Sequence, residues 1–414
     1  MHLMALVARP VLPRLLAFLL IAIFALADSP VLAQSEPALE LSFGQGDTKR
    51  RAILVNEPPP GQLRPVVIVL HGGRGSADQQ RARTSFDALA QSEGFMVVYA
   101  EGTEWAPRQF AWNTGYLLRN QVGQADDIGY LDSLLDLLIA RHRADPSRIY
   151  LTGGSNGGMM TFVYGVKRSE RLAAIAPVVA GMFSFDRRPS HPLPILMING
   201  GADNEVPLSG GMSGNELVRR GQTAPFKSFQ ETEAFWVSAN GSNPVPVVSR
   251  DGAVTTRVFR AGPRGAETTT VVDAVGGHGW PGTPSRRSDN VPIQSFDGAQ
   301  RVWAFFKTMR RVGATSRSVQ PPPDASSSVY APPADAPSER PRQQGRPGSQ
   351  GLSGLDTDGD GAVSRAEWLA AGRLEQGFAF MDSDRDGRLS PQELRQGMAR
   401  LQQRRAAQGG QRPN

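Results

Sequence analysis

The sequence predicts an α/β protein with a mostly parallel sheet, followed by a small α-helical domain. Short β-branched apolar runs alternate with amphipathic segments as far as about residue 311, an alternation that is typical of a sheet covered by helices. After a stretch rich in proline and serine, large apolar residues return around two acidic loops. The length of 414 residues allows one large domain and a smaller one.

The individual elements follow from the period of the apolar residues. Three segments are periodic like helices, namely 126–143, 227–240 and 295–311. The acidic pair at 126–127 opens the first of them, and we expect Asp127 to cap it. Six short runs have the composition of buried parallel strands: 65–70, 95–100, 148–152, 173–179, 194–199 and 267–275.

The first 33 residues have the pattern of a secretory signal peptide. Arg9 and Arg14 precede a short apolar run at 15–27, and the small-residue stretch that ends at Ala33 is typical of a cleavage site. The run is shorter than the ~20 residues that span a bilayer. We therefore expect cleavage near Ala33, a secreted protein in the extracellular space or the periplasm, and no membrane span afterwards; an uncleaved anchor is the alternative.

The absence of cysteine and the distribution of charge limit the kinds of protein that this sequence can be. The chain has no cysteine, so an exported fold must rest on its core, with bound metal as a second source of stability. The net charge is +6 and the pI about 9.9. The visible basic cluster lies at 395–412 without interleaved aromatic residues, so we expect no nucleic-acid partner.

Composition divides the rest of the chain into four parts. We predict the α/β domain at 34–311. The segment 312–351 is dense in proline, serine, glutamine and charge, which predicts a linker without a core. The second domain follows at 352–405, and 406–414 is expected to be a basic disordered tail.

The segment LTGGSNGGMM at 151–160 raises the question of a nucleophile. Glycine accounts for 45 of 414 residues, so a GxSxG pattern alone is weak evidence. Here Ser155 lies between a predicted strand and a predicted helix, where Gly153 and Gly157 leave room for a strained turn that exposes the hydroxyl. We expect Ser155 to be a nucleophile; an ordinary turn serine is the alternative.

Two backbone N–H groups are candidates for an oxyanion hole. Asn156 stands at the start of the predicted helix, where unpaired donors favour a developing negative charge. A glycine turn follows the strand at 65–70, and we expect Gly73, with Gly72 as the next candidate, to supply the second donor. A plain glycine turn is the alternative.

The general base is found by elimination among five histidines. His278 lies in a glycine-rich loop after the last predicted strand, where an imidazole can reach Ser155. A Ser–His–Asp triad also needs a carboxylate that orients the imidazole. Asp203, which follows the strand at 194–199, is the expected carboxylate, and Glu205 is the alternative. The other histidines are His2, His71, His142 and His191.

Several segments together resemble the secreted polyhydroxybutyrate depolymerase and feruloyl esterase group of α/β-hydrolases. They are LHGG, DDIGYL, DPSRIYLTGGSNGGMM, AAIAPV, GGAD and GGHGWPG, and the resemblance covers about residues 39–311. It implies an α/β-hydrolase fold and a serine esterase that needs no cofactor for catalysis. Its substrate would be a polyester or an acylated polysaccharide. We expect Trp280, two residues from the base, to touch that substrate; an aromatic ring that only fills the core is the alternative.

The two acidic loops, 356–367 and 382–393, resemble EF-hands and imply structural Ca²⁺. Both carry acidic residues and serine at the spacing of calcium ligands, and Gly361 and Gly387 allow the sharp turn. The stretch 345–355 is too rich in glycine, proline and serine for a good entering helix. The expected ligands are Asp356, Asp358, Asp360, Ala362, Ser364, Glu367, Asp382, Asp384, Asp386, Arg388, Ser390 and Glu393.

Two other functions are compatible with the sequence. A serine peptidase of the same fold would carry the same nucleophile turn and triad. A non-catalytic binding or adhesion module, presented by a calcium-stabilised tail, would not need the triad at all. For the tail itself we expect a polymer or a cell surface as the partner.

Overall fold

The computed structural model describes residues 38–44, 49–185, 187–284, 290–311, 326–329, 362–370, 378, 381–384, 386–390, 392–393 and 396. The predicted signal peptide, most of the predicted linker, the stretch 345–355 and the basic tail lie outside the described residues. The domain boundaries stay predictions.

The main sheet has eleven strands in the order β10-β11-β12-β9-β8-β7-β3-β4-β2-β1-β13. The six strands from β12 to β4 pair in parallel, and antiparallel strands extend the sheet on both sides. The strands are β1 (Ala38–Phe43), β2 (Arg50–Val55), β3 (Arg64–Leu70), β4 (Met96–Ala100), β5 (Thr103–Ala106), β6 (Gln109–Ala111), β7 (Ala144–Gly154), β8 (Ala174–Val178), β9 (Ile195–Gly200), β10 (Val247–Asp251), β11 (Val254–Phe259), β12 (Thr268–Asp273), β13 (Ser326–Val329), β14 (Val363–Ser364) and β15 (Arg388–Leu389).

The helices between these strands are mostly short, and five of those described begin with a side-chain cap. Ser228 and Glu231 form a capping box at the start of the helix Phe229–Ala239. The expectation for Asp127 was wrong, because Asp126 caps the helix Asp127–Arg141 by accepting from the Gly129 N–H. The helices are α1 (Ala77–Arg83), α2 (Phe86–Glu93), α3 (Arg119–Val122), α4 (Asp127–Arg141), α5 (Asn156–Lys167), α6 (Glu216–Gly221), α7 (Phe229–Ala239), α8 (Gly298–Phe306) and α9 (Arg365–Ala370).

The core lies on both faces of the sheet. In β3, Val66, Ile68 and Leu70 pack into one apolar cluster, whereas Val67 and Val69 pack into the other. Strands buried on both faces are expected in a parallel sheet covered by helices. The α/β class predicted from the sequence is confirmed, and the strand order places the carboxyl ends of β3, β7, β9 and β12 along one edge.

The C-terminal segment has a small core of its own. The strands β14 and β15 pair in antiparallel fashion, with Val363 opposite Leu389. These two residues pack with Trp368, Phe378 and Met381. Because each strand belongs to one of the two acidic loops, the short ladder joins the loops to each other.

The described helices include none that is both long and apolar enough to cross a membrane.

Candidate active site

Ser155 lies at a sharp turn between β7 and α5. Its backbone has φ 54° and ψ −121°, a conformation that costs a non-glycine residue free energy and that is common at functional sites. The turn needs glycine on both sides. A Cβ on Gly153 would stand 2.6 Å from the Gly157 carbonyl carbon, and a Cβ on Gly157 would stand 2.5 Å from the carbonyl oxygens of Leu70 and His71.

The structure brings together the three residues predicted for the triad. His278 Nε2 lies 2.9 Å from Ser155 Oγ, and His278 Nδ1 lies 2.8 Å from Asp203 Oδ2. The other oxygen of Asp203 accepts from the backbone N–H groups of Glu205 and Val206. The Asp203 side chain is fully buried, so its carboxylate is fixed by three hydrogen-bond partners and oriented toward the imidazole.

The predicted oxyanion donors meet beside Ser155. A Cβ built on Gly73 would lie 3.5 Å from Asn156 Cβ, and one on Gly72 would lie 3.5 Å from Ser155 Cβ. Among the described residues, neither the Gly73 nor the Asn156 backbone N–H has an acceptor. The two N–H groups that the sequence singled out therefore remain free for a ligand oxygen near the serine.

The buried side chain of His71 holds the turn formed by Gly72 and Gly73. Burial lowers its pKa from 6.5 to about 4, so the ring is neutral at physiological pH. Its Nε2 accepts from the Gly102 backbone N–H at 2.9 Å, which leaves the ring proton on Nδ1, 2.8 Å from the Gly72 carbonyl oxygen. His71 thus fixes the peptide that precedes Gly73, a role that the sequence did not reveal.

Trp112 fixes Asn156, whose backbone N–H is the other predicted oxyanion donor. Its backbone N–H donates to Asn156 Oδ1 at 2.8 Å, and its carbonyl accepts from Asn156 Nδ2 at 3.1 Å. The indole is fully buried and donates to the His71 carbonyl oxygen at 3.0 Å. No motif marks this contact, because 44 residues separate the two partners in the sequence.

Glu205, the rival for the triad acid, lies on the opposite side of the imidazole. Its Oε2 lies 3.7 Å from His278 Nε2, whereas Asp203 contacts Nδ1 of the same ring. Asn290 joins the two loops, since its Oδ1 accepts from the His278 backbone N–H at 2.6 Å and its Nδ2 lies 3.5 Å from Glu205 Oε1. Sequence reasoning missed Asn290, which follows a segment outside the described residues.

Trp280 belongs to the core of the structure. It is 7% exposed and packs against Phe86, with ring centroids 5.8 Å apart. Gly154 and Gly298 also approach its ring. A contact of Trp280 with substrate stays a prediction, and the burial of the ring does not support it.

The second acidic loop offers oxygen ligands that fit a calcium ion. Carboxylate oxygens of Asp382, Asp384 and Glu393 lie within 4.8 Å of one another, and Asp382 Oδ1 is buried without a hydrogen-bond partner. Hydrogen bonds, chiefly from the Ser390 backbone N–H, lower the pKa of Glu393 to about 2. A cluster of carboxylate oxygens, one of them buried and unsatisfied, suits a hard divalent cation.

The remaining predicted ligands divide into two groups. The second loop also contains Asp386, Ser390 and Arg388, the last at the position that supplies a backbone carbonyl ligand. In the first loop, Ala362, Ser364 and Glu367 are described, and the Ser364 backbone N–H donates to Glu367 at 2.8 Å. The other predicted ligands, Asp356, Asp358 and Asp360, lie outside the described residues.

Two family models match parts of this chain. A family model described as esterase PHB depolymerase matches residues 54–188, and the EF-hand model matches 355–370 and 374–399. The curated relatives include "Putative esterase NocK" from Nocardia uniformis subsp. tsuyamanensis, 28% identical over 232 residues, or 53% of this chain and 66% of its own. Feruloyl esterase B from Piromyces equi is 28% identical over 196 residues, or 45% of this chain and 34% of its own.

A solved structure, the acetyl xylan esterase from Aspergillus awamori, covers 65% of this chain and 98% of its own at 14% identity and a TM-score of 0.46. The chain spans about two thirds of the first curated relative and one third of the second. Residues 54–188 match the esterase PHB depolymerase model, and residues 355–370 and 374–399 match the EF-hand model, which confirms the resemblance seen in the sequence.

Proposed function

We propose that this protein is a secreted serine esterase that hydrolyses carboxylic esters through Ser155, His278 and Asp203. The observation that carries the proposal is the line of hydrogen bonds from Asp203 through His278 to Ser155, which ends at a strained turn beside two free backbone N–H groups. Nucleophile, base and orienting acid are the three roles that acyl transfer requires.

The residues act in a fixed sequence. Ser155 Oγ attacks the ester carbonyl carbon while His278 Nε2 takes the hydroxyl proton, and Asp203 stabilises the imidazolium that forms. The backbone N–H groups of Gly73 and Asn156 donate to the developing oxyanion. His278 then gives the proton to the leaving alcohol, and water releases the acyl group in a second round of the same steps.

The substrate class, the cellular location and the metal belong to the same proposal. The family match and the named relatives favour an ester of a polyester or of an acylated polysaccharide. The predicted signal peptide supports export with a mature chain that begins at Gln34. The second acidic loop would hold structural Ca²⁺ through Asp382, Asp384 and Glu393, and the ion would take no part in the ester chemistry.

A fluorophosphonate probe tests the proposal, because it labels only an activated serine. The full chain should be labelled once and should hydrolyse p-nitrophenyl acetate. Ser155→Ala should lose both properties, whereas Ser92→Ala, which removes an exposed serine from α2, should keep both. Absence of labelling in the folded wild-type protein would favour a non-catalytic binding module instead.

A further inference from the structure

One turn of the chain places two carboxylates against one imidazole. Asp203 Oδ2 contacts His278 Nδ1 at 2.8 Å, and Glu205 Oε2 lies 3.7 Å from Nε2 of the same ring. The two acids are two residues apart and are tied together, since the Glu205 backbone N–H donates to Asp203 Oδ1. The triad needs only the first carboxylate, so the second one requires a different explanation.

The Nε2 side of the ring is where the alcohol departs. During acylation the bond from Ser155 Oγ to the acyl carbon forms, the bond from that carbon to the alcohol oxygen breaks, and the proton moves from Oγ to Nε2 and on to the alcohol oxygen. That oxygen must come within about 3 Å of Nε2 to receive the proton. The carbon atoms attached to it therefore lie beside Glu205.

Glu205 is held in this place by its surroundings. Its side chain is only 17% exposed, and Asn290 Nδ2 lies 3.5 Å from its second oxygen. Asn290 also accepts from the His278 backbone N–H, so one amide contacts both the Glu205 carboxylate and the backbone of the residue that carries the imidazole. A carboxylate fixed at this distance acts on the leaving group as an acceptor and as a negative charge.

We propose that Glu205 selects the leaving alcohol, favouring a neutral alcohol with a second hydroxyl group, as in an acylated sugar, over an alcohol that carries a carboxylate, as in a short hydroxy-acid oligomer. A neighbouring hydroxyl donates to the Glu205 carboxylate, and a neighbouring carboxylate is repelled by it. This inference rests on the proposed esterase function and narrows its substrate class. Glu205 is a specificity residue and leaves the triad chemistry to Asp203.

Three acetate esters that share one acyl group test the inference. They are methyl acetate, glyceryl monoacetate and 3-acetoxybutyrate, whose alcohols are plain, hydroxylated and anionic. In the wild type, kcat/KM should fall in the order glyceryl, methyl, 3-acetoxybutyrate. Glu205→Gln should lower the glyceryl-to-methyl ratio and raise the 3-acetoxybutyrate-to-methyl ratio, each by about fivefold, the size expected for one charged contact near a surface.

Two further variants make the result specific. Glu170→Gln removes the same charge before β8, at the edge of the sheet opposite the triad, and should change neither ratio. Glu205→Asp keeps the charge and should retain part of the discrimination against 3-acetoxybutyrate. If Glu205→Gln is folded and all three esters slow by one common factor, Glu205 is structural and the inference fails. If the wild type hydrolyses none of these esters, the esterase proposal itself fails.

Discussion

Trp112 and Asn156 are joined by two hydrogen bonds that hold in place the residue after Ser155, the proposed nucleophile. The Trp112 backbone donates to Asn156 Oδ1 and accepts from Asn156 Nδ2, at 2.8 and 3.1 Å. Both groups are buried, so neither can exchange its partner for water. The side chain of Asn156 thereby sets the direction of its own backbone N–H, one of the two proposed oxyanion donors.

Loss of this lock should slow catalysis without removing the triad. Asn156→Ala keeps the backbone N–H but no longer fixes its direction, so we expect kcat to fall about 10- to 100-fold, less than the effect of losing an oxyanion donor outright. It also leaves the Trp112 backbone N–H and carbonyl without their partners, so the free energy of unfolding should fall by about 1–3 kcal/mol. Steady-state kinetics and urea unfolding measure the two effects. Unchanged kcat in a destabilised variant would show that the lock serves stability alone.

The conformation of Ser155 predicts opposite effects on activity and stability. Ser155→Ala should lower kcat by about 10⁴-fold or more, because the nucleophile is gone. Ser155→Gly should be equally inactive but more stable than Ser155→Ala by about 1–2 kcal/mol, because glycine adopts φ 54° without strain. Thermal or urea unfolding of the two variants provides the comparison, and equal stabilities would argue against a strained turn.

The two remaining triad members should differ in severity. His278→Ala deletes the base, whereas Asp203→Asn keeps a polar group at Nδ1 and changes the tautomer and orientation of the ring, so the aspartate change should cost less in kcat, though still about 10⁴-fold. Glu205→Gln should be far milder than either, since Glu205 lies on the Nε2 side. Initial rates on p-nitrophenyl acetate rank the three variants, and a larger loss for Glu205→Gln would reverse the assignment of the acid.

Sequence reasoning found the elements whose residues are chemically distinctive. All six parallel strands were predicted, because a strand buried on both faces is a run of β-branched apolar residues. The antiparallel strand β10 was missed, since all five of its residues are exposed and lack such a run. Strand β13 lies inside the predicted linker and pairs with β1 through the backbone, which needs no apolar residues at all.

The candidate site likewise contains residues that local sequence patterns predict and contacts that they do not predict. Ser155, Asp203 and His278 were predicted as a triad because each follows a strand in a glycine-rich turn, and the structure places the three side chains within hydrogen-bond distance. The expected cap at Asp127 was wrong, because that carboxylate pairs with Arg50 and accepts from the Asn113 backbone instead. Such contacts depend on which loops meet in three dimensions, and no local pattern in a single sequence records that.

The buried imidazole of His71 predicts how stability depends on pH. Its pKa is about 4 in the folded protein, and about 6.5 is expected once the chain unfolds. Folding therefore favours the neutral ring, and this contribution is present above pH 6.5 and lost as the pH falls toward 4. Between pH 7.5 and pH 5, the wild type should lose about 2 kcal/mol more free energy of unfolding than His71→Asn.

Urea unfolding at the two pH values measures this difference. Carboxylates that titrate in the same range act on both proteins alike, so the comparison isolates the imidazole. His191→Asn provides a control, because His191 lies in an exposed segment before β9 and its replacement should leave the pH dependence as in the wild type. An identical pH dependence in His71→Asn would mean that the ring is solvated or charged in the folded state.

Removal of calcium should loosen the C-terminal segment and leave ester hydrolysis unchanged. The carboxylates of Asp382, Asp384 and Glu393 repel one another without a cation, and the small apolar core around Trp368 is too limited to hold them together unaided. The free energy of metal binding thus becomes folding free energy for this segment. The proposed triad residues lie in turns after strands of the main sheet, and among the described residues the cluster of three carboxylates occurs only in the second acidic loop.

Limited proteolysis of the full chain, with Ca²⁺ or with EGTA, tests both halves of this statement. Trypsin should cleave at Arg388 faster in EGTA, while kcat on p-nitrophenyl acetate stays the same in both buffers. Asp382→Asn should abolish the protection by Ca²⁺, because it alters the residue whose Oδ1 lacks a partner; Asp251→Asn, at the exposed end of β10, should not. Loss of turnover in EGTA would tie the metal to the active site, and equal cleavage with and without Ca²⁺ would show that the loops do not need it to fold.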